Sequence, residues 1–591
     1  MKTNDTLITD LLKDIEQGKA QLPDFQRSWV WDDTRIKALI FSIINNFPIG
    51  AAMFLTYGNE SIRFKYRTIE GAPECDKAPE SLILDGQQRL TSMYSSLYSK
   101  KPVHTRTDKG REIYRYYYLD IEKALDPDYD DEDCVISVPE TKIVTSDFGR
   151  VVDLDLSTPE LEYKNKMFPL NITLSPSEVS VWCTGYMTYY NYEQKYSKQA
   201  MDLMNTITSK VQQYQIPVIT LEKDTPKEAV CRVFENVNTG GVSLTVFELV
   251  TSIFAMDDFE LRKDWEDRKE AFFNGDILRG ITATDFLTSL TLLSSYMKGG
   301  TVSCKKKDVL NLPLEEYKKY ADTLTEGFIE AEKLLQEERI FVDDDVPYST
   351  QLIPLAAICS ALMMNNKMYF TSTKEKIKQW YWCGVFGELY GSANETRYAF
   401  DIVNVIDWVE GSATLPRTIQ EAYFNPTRLL GLQTRLSAAY KGIMALIMKN
   451  HSKDFISGRE MDFASYKSEN IDIHHVFPKD YCVKQGYPKQ KWNSIVNKTP
   501  ISFKTNREIG GVAPSVYLSK IERKGQVNSD TLDSYLVSHF LDPQLLRTDN
   551  FDEFIIDRAK RLLDEIEKAM GKPISGRDSE EVVNAFGAKL V

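Results

Sequence analysis

The run Ile471-Asp472-Ile473-His474-His475-Val476-Phe477-Pro478-Lys479 constrains this chain more than any other stretch. It reads as a short apolar strand closed by Pro-Lys. The chain holds five histidines, and two of them stand here side by side. Neighbouring side chains of a strand point to opposite faces, so two adjacent imidazoles do not chelate one ion merely by being adjacent. They can divide labour, one binding a metal while the other takes a proton from water. Asn497 and Asn506 follow in Asn497-Lys498-Thr499-Pro500-Ile501-Ser502-Phe503-Lys504-Thr505-Asn506-Arg507. The layout predicts a strand pair followed by a helix, with an amide oxygen returning to the metal. The alternative is that the two histidines cap a strand and hydrogen-bond locally.

The residue types suit phosphodiester hydrolysis. That reaction needs an in-line water, a group to deprotonate it and a cation on the developing charge. A metal held by one His and one Asn keeps coordination positions open for phosphate. Mg²⁺ and Mn²⁺ tolerate such a shell, and a transition ion could occupy it too. Lys479, Lys484, Lys489, Lys491, Lys498, Lys504 and Arg507 stand against Asp480 and Glu508 in the same stretch, a local positive excess in a chain of net charge −14. Such a patch is a phosphate footprint, although lysines on a solvated face are common.

Asp-x-His-His-x-x-Pro, a mid-motif Asn and a second Asn on the following helix resemble the ββα-metal (HNH) nuclease signature. The resemblance implies His474 and Asn506 as metal ligands and His475 as the general base. It implies Asn497 as the residue that brace the loop, with Asp472 orienting a ligand or contacting the ion from behind. The adjoining Lys498 and Arg507 are candidates for structural or DNA contacts. Many HNH proteins add two CxxC pairs for zinc. This chain has no CxxC, so no structural zinc is expected.

A second signal lies near the start. Ser81-Leu82-Ile83-Leu84 reads as a buried strand, and Asp85-Gly86-Gln87-Gln88-Arg89-Leu90-Thr91-Ser92-Met93 turns straight into a helix. Such a turn offers N–H groups and a guanidinium to an anion. Asp85 holds a metal, orients Arg89 or caps the helix; the residues alone leave all three open. Earlier, Pro23-Asp24-Phe25-Gln26-Arg27 is followed by Trp29 and Trp31. A helix begins after Asp32-Asp33 with Ile36, Leu39, Ile40, Ile43 and Ile44 on one face, and Asn45-Asn46-Phe47-Pro48-Ile49-Gly50 stops it. The tryptophans suit packing at a core or rim as well as stacking on a base.

These segments, with Phe234-Glu235-Asn236-Val237-Asn238-Thr239-Gly240-Gly241 and Glu248, resemble the DGQQR-signature family. Its domain forms the N-terminal part of GmrSD-type, modification-dependent restriction endonucleases and is related to the ParB/sulfiredoxin fold. The resemblance implies nucleotide binding and hydrolysis around Asp85, Gly86, Gln87, Gln88 and Arg89, with GTP or ATP as the nucleotide. Gln26, Arg27, Asn238 and Gly240 would line the same cleft or contact DNA. Phe25 replaces the usual Tyr, removing a hydroxyl. Taken alone, Asn238 to Gly241 is also a tight turn ahead of a helix starting near Thr245.

At 591 residues the chain exceeds a single core. It lacks an apolar run of about 18 residues and an N-terminal apolar segment, and its eight cysteines are scattered, which points to the cytoplasm. The expected fold is α+β and multidomain: a ParB-like α/β domain over 1–255, a helical connecting domain over 256–450, an HNH domain over 451–570 and a tail over 571–591. Strands are expected near 51–56, 81–85, 114–119 and 216–221. Helices are expected at 314–337, 349–364, 428–449 and 551–570. The acidic run 126–133 is expected to be solvated.

The combined expectation is a nucleotide-regulated, modification-dependent DNA endonuclease in bacterial antiphage defence, without a membrane partner. One HNH site per chain makes a homodimer the simplest route to double-strand cleavage. The rivals are a ParB-like nucleotide switch with a degenerate HNH module, and a less specific HNH toxin nuclease.

Overall fold

A computed structural model describes residues 2–24, 26, 28–58, 64–75, 77–108, 110–126, 132–146, 150–226, 229–230, 233, 245–392, 394–462, 471–524 and 527–591. The chain is mixed α+β and parts into two compact units, Met1–Leu261 and Arg262–Val591. Among the described residues no helix is long and apolar enough to cross a membrane.

The first unit is built on a six-stranded sheet. Its order is Lys2–Leu7, Gln215–Leu221, Ala52–Thr56, Ser81–Asp85, Ala20–Pro23 and Tyr66–Arg67. Gln215–Leu221 runs parallel to Ala52–Thr56, and Ala20–Pro23 parallel to Ser81–Asp85; the other pairs are antiparallel. The strand expected at 114–119 is longer, Glu112–Asp120, and centres a second sheet with Val103–Arg106, Val135–Pro139 and Met167–Pro169. The helix Asp33–Ile44 starts where Asp32 accepts a hydrogen bond from the Arg35 N–H, a side-chain N-cap. It buries Ile36, Leu39, Ile40, Ile43 and Ile44, the face its spacing predicts. Those side chains join Ile8, Leu12, Ile83 and Leu119 in one core.

The second unit is mostly helical. Leu314–Glu337 and Phe551–Met570 run as their apolar periodicity predicts. Residues 349–364 form a 3₁₀ turn, Ser349–Gln351, leading into the helix Leu352–Met364. The helix expected across 428–449 is two helices, Arg428–Gly431 and Ala438–Lys449. At Leu432 the backbone leaves helical space, with φ −81° and ψ 93°. The carbonyls there have partners far along the chain: Ile495 N–H donates to Leu432 O at 2.8 Å, and Lys498 Nζ donates to Gln433 O at 2.7 Å. Tertiary hydrogen bonds thus replace helical ones. The tail, residues 571–591, is tied to the rest of this unit. Arg577 pairs with Asp564 and Glu567, and Glu580–Phe586 forms a helix that buries Val582 and Phe586.

Within this unit Ile471–His475 pairs antiparallel with Lys498–Ser502, His474 lying opposite Thr499 and His475 opposite Lys498. The helix Phe503–Ile509 follows at once, with the Ser502 side chain accepting from Thr505 N–H at its start. This is the expected strand pair and helix. Just beyond the His pair, the Phe477 ring packs on Phe551 and Phe554, with centroids 5.2 and 4.9 Å away. Phe554 is fully buried. Phe554→Ala should therefore lower the stability of this unit by about 3–5 kcal/mol, measured by urea denaturation; a change below about 1 kcal/mol would show that the helix does not support the hairpin.

Candidate active site

Asp472 and His474, two apart on a strand, share one face, and Asn506 comes up to that face from the helix. His474 Nδ1 lies 2.8 Å from Asn506 Oδ1, and Asn506 Nδ2 donates to Asp472 Oδ2 at 2.6 Å. Asp472 thereby fixes which way the Asn506 amide points, so its oxygen faces the imidazole. The His474 ring is 3 % exposed, and burial pushes its pKa down to about 4 against the opposing Asn506 hydrogen bond. The imidazole is therefore neutral, the form that binds metal. Its Nε2 is buried and has no hydrogen-bond partner among the described residues.

These residues fit a divalent cation. Donors on adjacent corners of an octahedron with bonds of about 2.1 Å lie about 3 Å apart, close to the His474–Asn506 separation. The mixed nitrogen and oxygen pair suits Mn²⁺ or another transition ion as well as Mg²⁺. Among the described residues no group of three or more His, Cys, Asp or Glu could hold a metal, so the candidate donors are this His and Asn with Asp472 behind them.

His475 is turned differently. Its Nε2 lies 3.2 Å from Asn493 Oδ1, and Asn493 Nδ2 donates to Gln433 Oε1 at 3.4 Å. With the amide so oriented, Nε2 carries the proton and Nδ1 is left as the basic nitrogen. Burial lowers the His475 pKa, opposed by the Asn493 bond. Asn497 is fully buried. It accepts from Phe477 N–H at 2.8 Å and donates to Phe477 O and Trp492 O at 2.9 and 2.8 Å. Lys498 points inward: its ammonium is bound to Gln433 O, and burial brings its pKa down to about 8. Arg507 is exposed, its guanidinium over the Phe503 ring.

Four residues of this neighbourhood were missed by sequence reasoning. Asn493 and Gln433 orient His475. His539, fully buried, bridges Thr499 Oγ1 at 2.7 Å and Lys453 O at 2.8 Å. Asp454, also fully buried, accepts from Ser502 N–H at 2.9 Å and Thr505 Oγ1 at 2.6 Å, and from the Ile456 and Ser457 N–H groups. It pins the strand end and the first turn of the helix that presents Asn506. No motif marks these residues, because a lone Asp or Asn far away in sequence carries no spacing signal.

In the first unit the signature residues also converge. Gly86 adopts a left-handed φ of 92° between the strand Ser81–Asp85 and the helix Gln87–Met93. Arg89 donates to Ile49 O at 2.5 Å and Ala51 O at 2.8 Å, and pairs with Asp85 at 3.2 Å. Burial lifts the Asp85 carboxyl above its usual range, against the Gly86 N–H and Arg89. Gln26 Nε2 donates to Ile83 O and Leu84 O at 2.7 and 3.2 Å. Gln88 accepts from Val30 N–H at 2.9 Å and donates to Ser28 O at 3.4 Å; Gln87 is buried. These side chains tie three segments together. Beside them a cleft of about 390 Å³ is lined by Trp29, Trp31, Glu70, Lys101, His104 and Arg106. The tryptophans both pack on the core and face this cleft. Arg27, Asn238, Phe25, Gly240 and the 127–131 part of the acidic run lie outside the described residues.

Two tests follow from this geometry. For Asp454, burial raises the pKa, but the bonds from Ser457, Thr505 and Ser502 outweigh it and hold the group below its usual value. A depressed folded pKa stabilises above the unfolded value, about 3.9, and that contribution fades as pH falls toward the folded one. Urea denaturation across pH should show Asp454→Asn less stable than the wild type at neutral pH, with the gap closing below about pH 4. At Gly50, where φ is 89°, a Cβ would collide with the Arg89 guanidinium. Gly50→Ala should lower the melting temperature of the first unit, whereas Gly58→Ala, at a similar φ where a Cβ would meet only the Lys223 side chain at ordinary contact distance, should reflect backbone strain alone.

The chain resembles known proteins along most of its length and in its N-terminal domain. Over 604 aligned residues the chain is 25 % identical to the uncharacterized protein MJ0686 of Methanocaldococcus jannaschii, covering 95 % of this chain and 98 % of that one. Residues 8–255, which hold the Asp85–Arg89 turn, match the GmrSD restriction endonuclease N-terminal domain. Its N-terminal part, residues 8–255, is thus similar to the N-terminal domain of GmrSD restriction endonucleases.

Proposed function

We propose that this restriction endonuclease-type chain is a metal-dependent HNH nuclease whose N-terminal unit gates cleavage of modified phage DNA in response to GTP or ATP. The observation that carries the nuclease part is the face shared by Asp472, His474 and Asn506 on a strand pair and helix. His474 and Asn506 would hold the cation, which when bound supplies Lewis-acid stabilisation of the phosphate charge. His475 takes the proton of the attacking water at Nδ1, and Asn493 holds the imidazole in that tautomer. Asn497 keeps the turn after the His pair closed, so the two imidazoles stay at fixed positions. The nucleotide, the sensing of modification and the defence role are supported by the N-terminal family and by the resemblance of the Asp85–Arg89 turn.

Cleavage of plasmid, unmodified phage DNA and modified phage DNA, with Mg²⁺ or Mn²⁺ and with or without GTP or ATP, tests this. The expected result is metal-dependent cutting of the modified DNA, altered by nucleotide and reduced about 10²–10⁴-fold in His475→Ala. Asn506→Ala should need more metal for half-maximal rate, because one donor is gone. Undiminished cutting by His475→Ala would refute the assignment of the base. Metal-independent DNA binding with no cutting of any substrate would favour a switch protein.

A further inference from the structure

Between the helices Arg428–Gly431 and Ala438–Lys449 the chain makes a short loop, Leu432–Ser437. Its first residues are wired to the candidate centre. Leu432 O accepts from Ile495 N–H and Gln433 O from the buried Lys498 ammonium, while Gln433 Oε1 accepts from Asn493, whose own oxygen meets His475. Its later residues do the opposite. Thr434 and Arg435 are exposed, and Leu436 is 94 % exposed, more than any other large apolar side chain among the described residues.

A single exposed leucine needs no explanation. A leucine held out of a broken helix, three residues from a group that bonds both Lys498 and Asn493, is a different case. The occupant it fits is nucleic acid. Arg435 flanks the leucine, and Lys479, Lys484, Lys489, Lys504 and Arg507, from the stretch that carries the hairpin, are exposed as well. Cations favour a phosphate backbone, and leucine is among the apolar wedges that proteins insert between base steps from the minor groove.

We propose that this loop is the duplex-contacting element of the centre, with Leu436 wedged between base steps and Arg435 on a phosphate. Gln433 ties that grip to the orientation of His475. The proposal rests on the nuclease reading. It adds a DNA-binding role to residues outside the His–Asn motif.

The full chain in the His475→Ala background, chosen to slow cutting, is mixed without added metal with a duplex of the cleaved sequence carrying 2-aminopurine. Insertion of Leu436 brightens the probe by unstacking it, and adding Leu436→Ala should abolish that rise. With His475 intact, Leu436→Ala should raise KM about tenfold, the scale of one buried leucine, and Arg435→Ala should raise KM and weaken its salt dependence. Both side chains are exposed, so the melting temperature should not move. Leu436→Trp should restore the probe signal. Wild-type cleavage with an unchanged probe signal and KM in Leu436→Ala would overturn the loop's role while leaving the nuclease reading standing, and point to a protein partner for the leucine. Absence of both cleavage and DNA binding by the wild type would overturn the two together.

Discussion

Three hydrogen bonds of one carboxamide hold the candidate centre in shape. Asn497 has no access to water, so each polar atom of its side chain must find a partner inside the protein. It accepts from Phe477 and donates to Phe477 and Trp492. Phe477 lies two residues beyond His475, and Trp492 one residue before Asn493. The same side chain therefore closes the exit from the His strand and anchors the segment that orients its second imidazole. Breaking it would leave buried N–H and C=O groups unpaired, at about 1–3 kcal/mol each.

Around that brace, burial sets the chemistry. His474 and His539 are both kept neutral by loss of solvent, with the buried Arg558 charge adding to the effect. Arg558 donates to the carbonyls of Val496 and His539, and desolvation brings its own pKa down to about 9. Neutral imidazole is what a metal ligand and a general base require. The centre reaches that state by exclusion of water rather than by ion pairing.

The N-terminal unit uses its signature in a similar way. Gln26, Gln88 and Arg89 each bond backbone groups of neighbouring segments. Asp85 lies within 3.2 Å of Arg89, so of the three roles the residues left open, orientation of Arg89 has a contact behind it. The turn thus shapes the adjoining tryptophan-lined cleft, whose walls are contributed by other residues.

Periodicity and local chemistry were enough to place the helices Asp33–Ile44, Leu314–Glu337 and Phe551–Met570, and the strands Ala52–Thr56 and Ser81–Asp85. Each satisfies its backbone within one element or a neighbour and buries a face that its own spacing defines. The motif spacing likewise brought His474, Asn506 and Asp472 to one face. What sequence could not supply were the partners reached over long separations. Lys498 and Ile495 break the helix that residues 428–449 would otherwise continue, Asp454 secures the helix of Asn506, and Asn493 with Gln433 sets the tautomer of His475. Those outcomes depend on which buried polar groups meet after the chain has folded, and no local pattern encodes them.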